Sequence, residues 1–175
     1  LGLALRGMWG GTTPLILVAG LATYVAALDA TEPLAQDIDH PGLLSARPEP
    51  EGLILLRHLA EPVIVMVGVG LVAVAAAYAV GPDPEVLRVG LMAILPGAVA
   101  GVCGAAVTVV SEAILETSQE AFIPPEVAGP RLLFRTVWPP LIAVIGLVPV
   151  LVARGAARDG TDPVAVVATT AVPVA

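Results

Sequence analysis

The sequence predicts an all-α fold, a polytopic transmembrane helix bundle with four complete spans and a truncated fifth, and three observations lead there. Of the 175 residues, 57% are hydrophobic and 13% charged, against about 45–50% and about 25% in an ordinary globular domain. The apolar weight lies in Ala, Val, Leu and Gly, with aromatics at 3% and a mean hydropathy of +0.93, which suits helices in lipid better than an aromatic-rich aqueous core. The charges also leave runs of 18 to 23 residues clear, and a helix of about 20 residues crosses a hydrocarbon layer of about 30 Å. In such a layer each backbone group must be paired within the chain, and runs without polar alternation favour helices over a barrel. High hydrophobicity also excludes intrinsic disorder.

Residues 1–28 hold the first span, Met8–Leu28, 21 residues long. Arg6, the run Pro14–Val25 and small Ala26 and Ala27 also fit a secretory signal, which leaves three further spans unexplained. Residues 29–61 form an acidic extramembrane loop carrying −5 of the formal charge of −7. Within it, Thr31 suits an N-cap, Glu32 and Pro33 suit a first turn, and Leu34 and Ile38 stack at i and i+4 before His40-Pro41 stops the helix. Pro48 and Pro50 mark a turn, and Leu53–Glu61 reads as a helix with an Arg57/Glu61 pair that leads into Pro62.

Residues 62–111 read as a transmembrane hairpin, Pro62–Pro82 and Val89–Ser111, closed by the tight connection Gly81–Arg88. The run Gly68–Ala73 matches GxGxxA, but the stretch to Val80 is apolar on every face, so packing glycines explain it better than a dinucleotide site. In the second arm, Leu95-Pro96-Gly97 predicts a kink that frees the Met92 carbonyl, and Gly97, Gly101 and Ala105 form a stripe for close approach of another helix. Cys103, off that stripe, reads as a small packing residue, inert in apolar surroundings.

Residues 112–135 form the second extramembrane loop. Glu112, Glu116 and Glu120 repeat every four residues, which is the mark of a solvated helix end, with cation binding as the rival reading. Arg131 and Arg135 suit headgroup anchoring. The fourth span, residues 136–153, carries a mild kink at Pro149. Residues 154–175 contain a loop and the start of a fifth apolar run, Pro163–Ala175, which breaks off after 13 residues; with Leu1 in first place, a piece truncated at both ends is expected. Trp9, Tyr24, Tyr78 and Trp138 lie near span ends and suit interfacial anchoring.

The absences bear on function. No Lys occurs, so neither a Walker A loop nor a Schiff-base lysine can form, and any ATP must be hydrolysed by a separate ATPase subunit. Two His and one Cys cannot assemble HExxH or a Cys/His zinc cluster. No Ser sits in a GxSxG elbow, and Asn is absent. The reading is therefore of no enzyme, no catalytic residue, no metal and no cofactor. A chain this acidic, with eight Arg and fifteen acids, does not suit nucleic acid. Its partners are the lipid bilayer and other protein subunits, whether copies of itself or not.

Four stretches carry a resemblance: Thr31-Glu32-Pro33-Leu34-Ala35-Gln36-Asp37-Ile38-Asp39-His40-Pro41, Leu56-Arg57-His58-Leu59, Pro124-Pro125-Glu126-Val127-Ala128-Gly129-Pro130-Arg131 and Trp138-Pro139-Pro140. They resemble uncharacterised multi-pass inner-membrane proteins of high-GC actinobacteria that are described as ABC exporter membrane components, over most of residues 28–160. The resemblance implies an exporter permease, with Glu32–His40 as a coupling helix on the cytoplasmic side that meets a separate ATPase. It carries over no ligand residue. On this reading Leu34 and Ile38 enter a partner's cleft and Glu32, Asp37 and Asp39 stand at its rim. A helix lying on the lipid surface is the rival, which its acids disfavour. The competing function is a membrane scaffold or assembly protein that recruits a partner through the acidic loop.

Orientation is not decided by arginine. Arg6, Arg88, Arg154 and Arg158 fall on one side and Arg47, Arg57, Arg131 and Arg135 on the other, so the positive-inside rule returns a tie. The resemblance places the 29–61 and 112–135 loops in the cytoplasm. With Cys103 replaced, a Ser45→Cys variant should therefore resist an impermeant thiol reagent in intact cells; ready labelling reverses the orientation.

Overall fold

The computed structural model describes residues 1–39, 51–117 and 125–171, and among these it is helical with no strand. The expected stop at His40-Pro41, the turn at Pro48 and Pro50, Glu120 and the end of the fifth run lie outside the described residues. Among the described residues nine helices follow one another: α1 Gly2–Trp9, α2 Leu15–Ala30, α3 Glu32–Asp39, α4 Glu51–His58, α5 Ala60–Val80, α6 Pro84–Thr117, α7 Pro125–Ile145, α8 Val148–Arg158 and α9 Pro163–Ala171.

Among the described residues three helical stretches are long and apolar enough to cross a membrane: Leu56–Val80, Pro84–Ser111 and Leu132–Arg158, of 25, 28 and 27 residues. The expected first span is not among them. Met8–Leu28 is two helices, because Gly11 takes φ +118 and Pro14, at the N-cap of α2, has no N–H to continue the ladder. What remains, Leu15–Ala30, has 16 residues, about 24 Å at 1.5 Å per residue. The chain reverses at this break. α1 lies along the second half of α5, with Gly2 against Ala73 and Ala76 and Gly81 beneath the Arg6 guanidinium. α2 then returns beside α6, with Tyr24 joined to Thr108 by a 2.8 Å hydrogen bond.

The other elements follow the expected hairpin. α5 ends where Gly81 becomes extended, and α6 starts three residues later and runs through Pro96 to Thr117 without interruption. Between α7 and α8 the interruption is stronger than the mild kink expected of Pro149. Pro149 falls in the first turn of α8, with Leu147 at its N-cap, and the two residues Gly146 and Leu147 form a turn. Gly160, at φ +71, reverses the chain after α8, and the Thr161 N–H closes on the Ala156 carbonyl at 2.9 Å, a Schellman-type ending.

The connections thus gather at two ends. Asp83, Glu85, Asp159 and Asp162 share one end with Arg6, Arg88, Arg154 and Arg158 and cancel them, so the remaining residues carry the whole formal charge of −7. Between the ends the outer face is apolar: Ile64 and Val72 on α5 are each 71% exposed, and Leu132, Leu133 and Phe134 on α7 exceed 60%. Cys103 is exposed on this outer face rather than packed inside. Tyr78 and Trp138 are exposed there too, with Trp138 stacked on Phe134. Trp9 and Tyr24 turn inward to hydrogen-bond within the bundle, so only two of the four aromatic anchors expected at span ends occupy the surface.

Inside, α6 is the helix that the others touch. A β-carbon added at Gly90 would meet Val74 of α5 at 2.9 Å, one at Gly101 would meet Thr23 of α2 at 2.9 Å, and one at Gly104 would strike the Pro139 carbonyl oxygen of α7. The expected stripe therefore does not serve one partner. Gly97 rests on Leu147 at an ordinary 3.4 Å, while Gly101 and the fully buried Ala105 lie against α2 and its cluster with Ala27, Met66 and Val102. Replacing Gly101 by Leu should destabilise the purified protein by about 1–3 kcal/mol, as overpacking does. Gly68→Ala, with nothing within 4 Å, should be neutral or stabilising by up to about 1 kcal/mol. Thermal unfolding in detergent checks both, and equal effects would remove close approach at Gly101 as the cause.

Candidate functional site

With no Lys for a phosphate loop and, among the described residues, no cluster of His, Cys, Asp or Glu that could hold a metal ion, the molecule is read for places where something other than its own side chains can sit. One is a cavity of about 60 Å³ in the bundle, above the roughly 10–15 Å³ that a single water needs. Leu1, Leu5 and Trp9 of α1 form one wall, and α5 and α6 face it with small residues, among them Gly70, Gly90 and Ala93. Its hydroxyl-bearing lining residue is Thr23, and that hydroxyl is already donated to the Ala19 carbonyl at 2.8 Å. A site so lined offers no polar partner and suits an apolar occupant.

The wall formed by α1 is held by one carboxylate. Asp83 Oδ1 accepts the Glu85 N–H at 3.0 Å, capping α6, and Oδ2 accepts the Trp9 indole N–H at 3.2 Å. The Arg6 guanidinium stands 3.7 Å from the same oxygen, with both side chains about one-third exposed. Arg6 can come this close because the residue under it is Gly81. On the far side of α1, Arg154 donates to the Met8 carbonyl at 2.7 Å and to the Thr13 hydroxyl at 2.8 Å, satisfying a helix end whose own last-turn base, Arg6, is turned to Asp83. Sequence reading missed this set, since Arg6, Trp9, Asp83 and Arg154 are scattered over 149 positions. The Pro-Asp-Pro-Glu run at 82–85 was its one legible signal, an Asp before a proline at a helix start.

At the opposite end, α3 packs on α6, α2 and α4. Thr31 does not cap α3 with its side chain as expected. Its N–H closes α2 on the Ala27 carbonyl at 2.9 Å, its carbonyl accepts from Leu34 at 3.0 Å, and its hydroxyl donates to the Leu28 carbonyl at 3.0 Å. The end of α2 has orphan carbonyls to satisfy, and the fully buried Thr31 does so while joining the two helices without a spacer. Leu34 is 3% exposed, so in this structure its side chain is occupied within the chain and is not held out to a cleft elsewhere. Glu32 is exposed. Asp37, Ile38 and Asp39 lie on α3, with side chains outside the described residues. From α3 the contact continues along a polar seam: the Thr108 hydroxyl bonds Tyr24, the Ser111 hydroxyl donates to the Thr108 carbonyl at 2.9 Å, and Arg135 of α7 donates to the Ser111 carbonyl.

No protein-family model, curated protein or solved structure matches this chain.

If Asp83 fastens α1 over the cavity, Asp83→Ala should cost about 1–2 kcal/mol through the lost cap and also free Trp9. In a Trp138→Phe background, where Trp9 is the one remaining tryptophan, its emission should shift to the red. Asp83→Asn keeps a capping oxygen and should fall between. Unmoved emission in Asp83→Ala would mean that packing alone seats the wall.

Proposed function

We propose that the chain belongs to the membrane-embedded permease subunit of an ABC-type exporter in a bacterial inner membrane, working with a separate ATPase and moving an apolar molecule. The observation that supports this reading most is the apolar cavity behind α1. A transporter must hold its cargo within the bundle, and α1, the wall of this cavity, is a helix of eight residues seated by the packing of Ala4 and Met8 and by the contacts of Asp83 and Arg154. In the bilayer, the exposed apolar flanks of α5, α6 and α7 face lipid, and α2 adds a crossing only where the layer thins to its length.

Lacking a nucleotide site, such a subunit receives its conformational work from outside, and only through contacts that differ between two states. α3 suits this role in a way that differs from the sequence expectation. Leu34 anchors it to the bundle and Thr31 welds it to α2, so its outward face, with Glu32, is where an ATPase would take hold. A push on α3 passes to α6, the helix that contributes more of the cavity's lining than any other. The scaffold reading keeps one supporting observation, the concentration of net negative charge away from the Asp83 end, which suits recruitment of a basic partner without any transport.

The two readings part experimentally. In proteoliposomes of the full-length protein with its ATPase, Glu32→Arg should lower retention of the ATPase about tenfold or more, the equivalent of losing about 1.4 kcal/mol. Ala93→Leu, which projects into the cavity, should abolish stimulation of hydrolysis by apolar cargo while retention stays intact. Intact retention with no cargo stimulation in the unmodified protein, across a panel of apolar compounds, would favour the scaffold.

A further inference from the structure

The outer surface at the Asp83 end carries a second concavity, of about 400 Å³, lined by Arg88, Leu91, Met92, Asp162 and Val164, where α6 and α9 meet. It shares no residue with the cavity behind α1. Its chemistry is graded along the helices. Arg88 stands one turn into α6 and Asp162 stands just before α9, both near the level of the connections. Leu91 and Met92 follow one turn further along α6 and are 48% and 42% exposed. A cation and an anion thus share the rim of a groove whose floor is apolar and open on the outer face.

We propose that this groove binds a glycerophospholipid with a zwitterionic, amine-bearing headgroup, taken from the bilayer. The phosphate sits on Arg88, the ammonium on Asp162, and the first acyl methylenes on Leu91, Met92 and Val164. A guanidinium fits phosphate oxygens in a bidentate fork. Arg88 already holds Glu85 Oε1 at 3.3 Å, but its side chain is 68% exposed, and a solvated pair of that kind is weak enough to exchange for a phosphate. Asp162 is fixed in place because Oδ1 accepts the Val164 N–H at 3.0 Å, and a carboxylate has acceptor capacity beyond that one bond. Charge balance selects the headgroup. Arg88, Glu85 and Asp162 together are net negative, so a purely anionic headgroup meets repulsion, whereas a zwitterion meets one partner for each of its charges. A free headgroup would leave Leu91, Met92 and Val164 uncovered, which is why the occupant is a whole lipid. The proposal needs the Asp83 end to lie at a membrane surface but does not depend on transport or on an ATPase.

The test is native mass spectrometry of the full chain in detergent, delipidated and then offered phosphatidylethanolamine and phosphatidylglycerol with identical acyl chains. The unmodified protein should retain phosphatidylethanolamine about fivefold better, the effect of one charge near a lipid surface. Asp162→Asn keeps the α9 cap, since an amide oxygen also accepts there, and should abolish the preference. Arg88→Gln should lose both lipids, and Met92→Trp should lose both with the charges intact. Equal retention of the two lipids by the unmodified protein would overturn the proposal. So would phosphatidylethanolamine retention unchanged by Arg88→Gln and Asp162→Asn.

Discussion

Close approach to α6 is the constraint on which the rest of the structure depends. Its glycines look in different directions, Gly90 to α5, Gly101 to α2 and Gly104 to the backbone of α7. Helices whose outer faces are as apolar as lipid gain little by hiding apolar surface from it, so their association rests on van der Waals fit, and fit improves when backbones can touch. Neighbouring helices reciprocate. A β-carbon at Gly70 of α5 would press on Ile94 and one at Gly146 on Ala100, both of α6, while one at Gly20 of α2 would press on Val144 of α7. The 34-residue α6 therefore acts as a mast, and the turn at Gly146 and Leu147 is held against it.

Polar groups complete what packing begins, mostly at helix ends, where backbone groups lack partners. Asp83 closes the start of α6 and Arg154 the end of α1, while Thr31 closes the end of α2. Each of these residues also fastens a second element, Thr31 through its backbone carbonyl, which accepts the Leu34 N–H, so satisfying a helix end and placing a neighbour are the same event. The consequence at the Asp83 end is that the cavity wall is tied down by hydrogen bonds as well as by the packing of Ala4 and Met8 into the core. At the other end α3 is joined to both α2 and α6, which makes it rigid with respect to the cavity lining. A small helix so held can transmit displacement, whereas one tethered by a loop would absorb it.

Much of this architecture was legible in the residues. The apolar runs located α5, α6 and the α7–α8 region, the Pro- and acid-rich connection 81–88 gave the hairpin, and Glu32-Pro33 marked the start of α3. Three readings left the geometry open for one physical reason, that a linear run does not report direction. Met8–Leu28 is continuous in hydropathy, yet Gly10-Gly11 and Pro14 turn the chain back on itself. Gly97, Gly101 and Ala105 share a spacing, yet Gly97 meets the turn at Leu147 while the other two meet α2. Leu34 looked available because amphipathic spacing shows that a face is apolar, not what covers it.

The sequence by itself determined that this chain is helical, that its surface between the ends is apolar, and that its net charge is confined to part of the chain, because these follow from composition and local propensity. Only the tertiary structure decided that α1 folds back along α5, that Trp9 and Tyr24 point inward, and that Arg6, Trp9 and Asp83 converge beside a cavity. Those outcomes depend on which glycine faces which neighbour and on which carbonyl lacks a partner. Both are properties of helices already packed together, and neither exists until the second helix arrives.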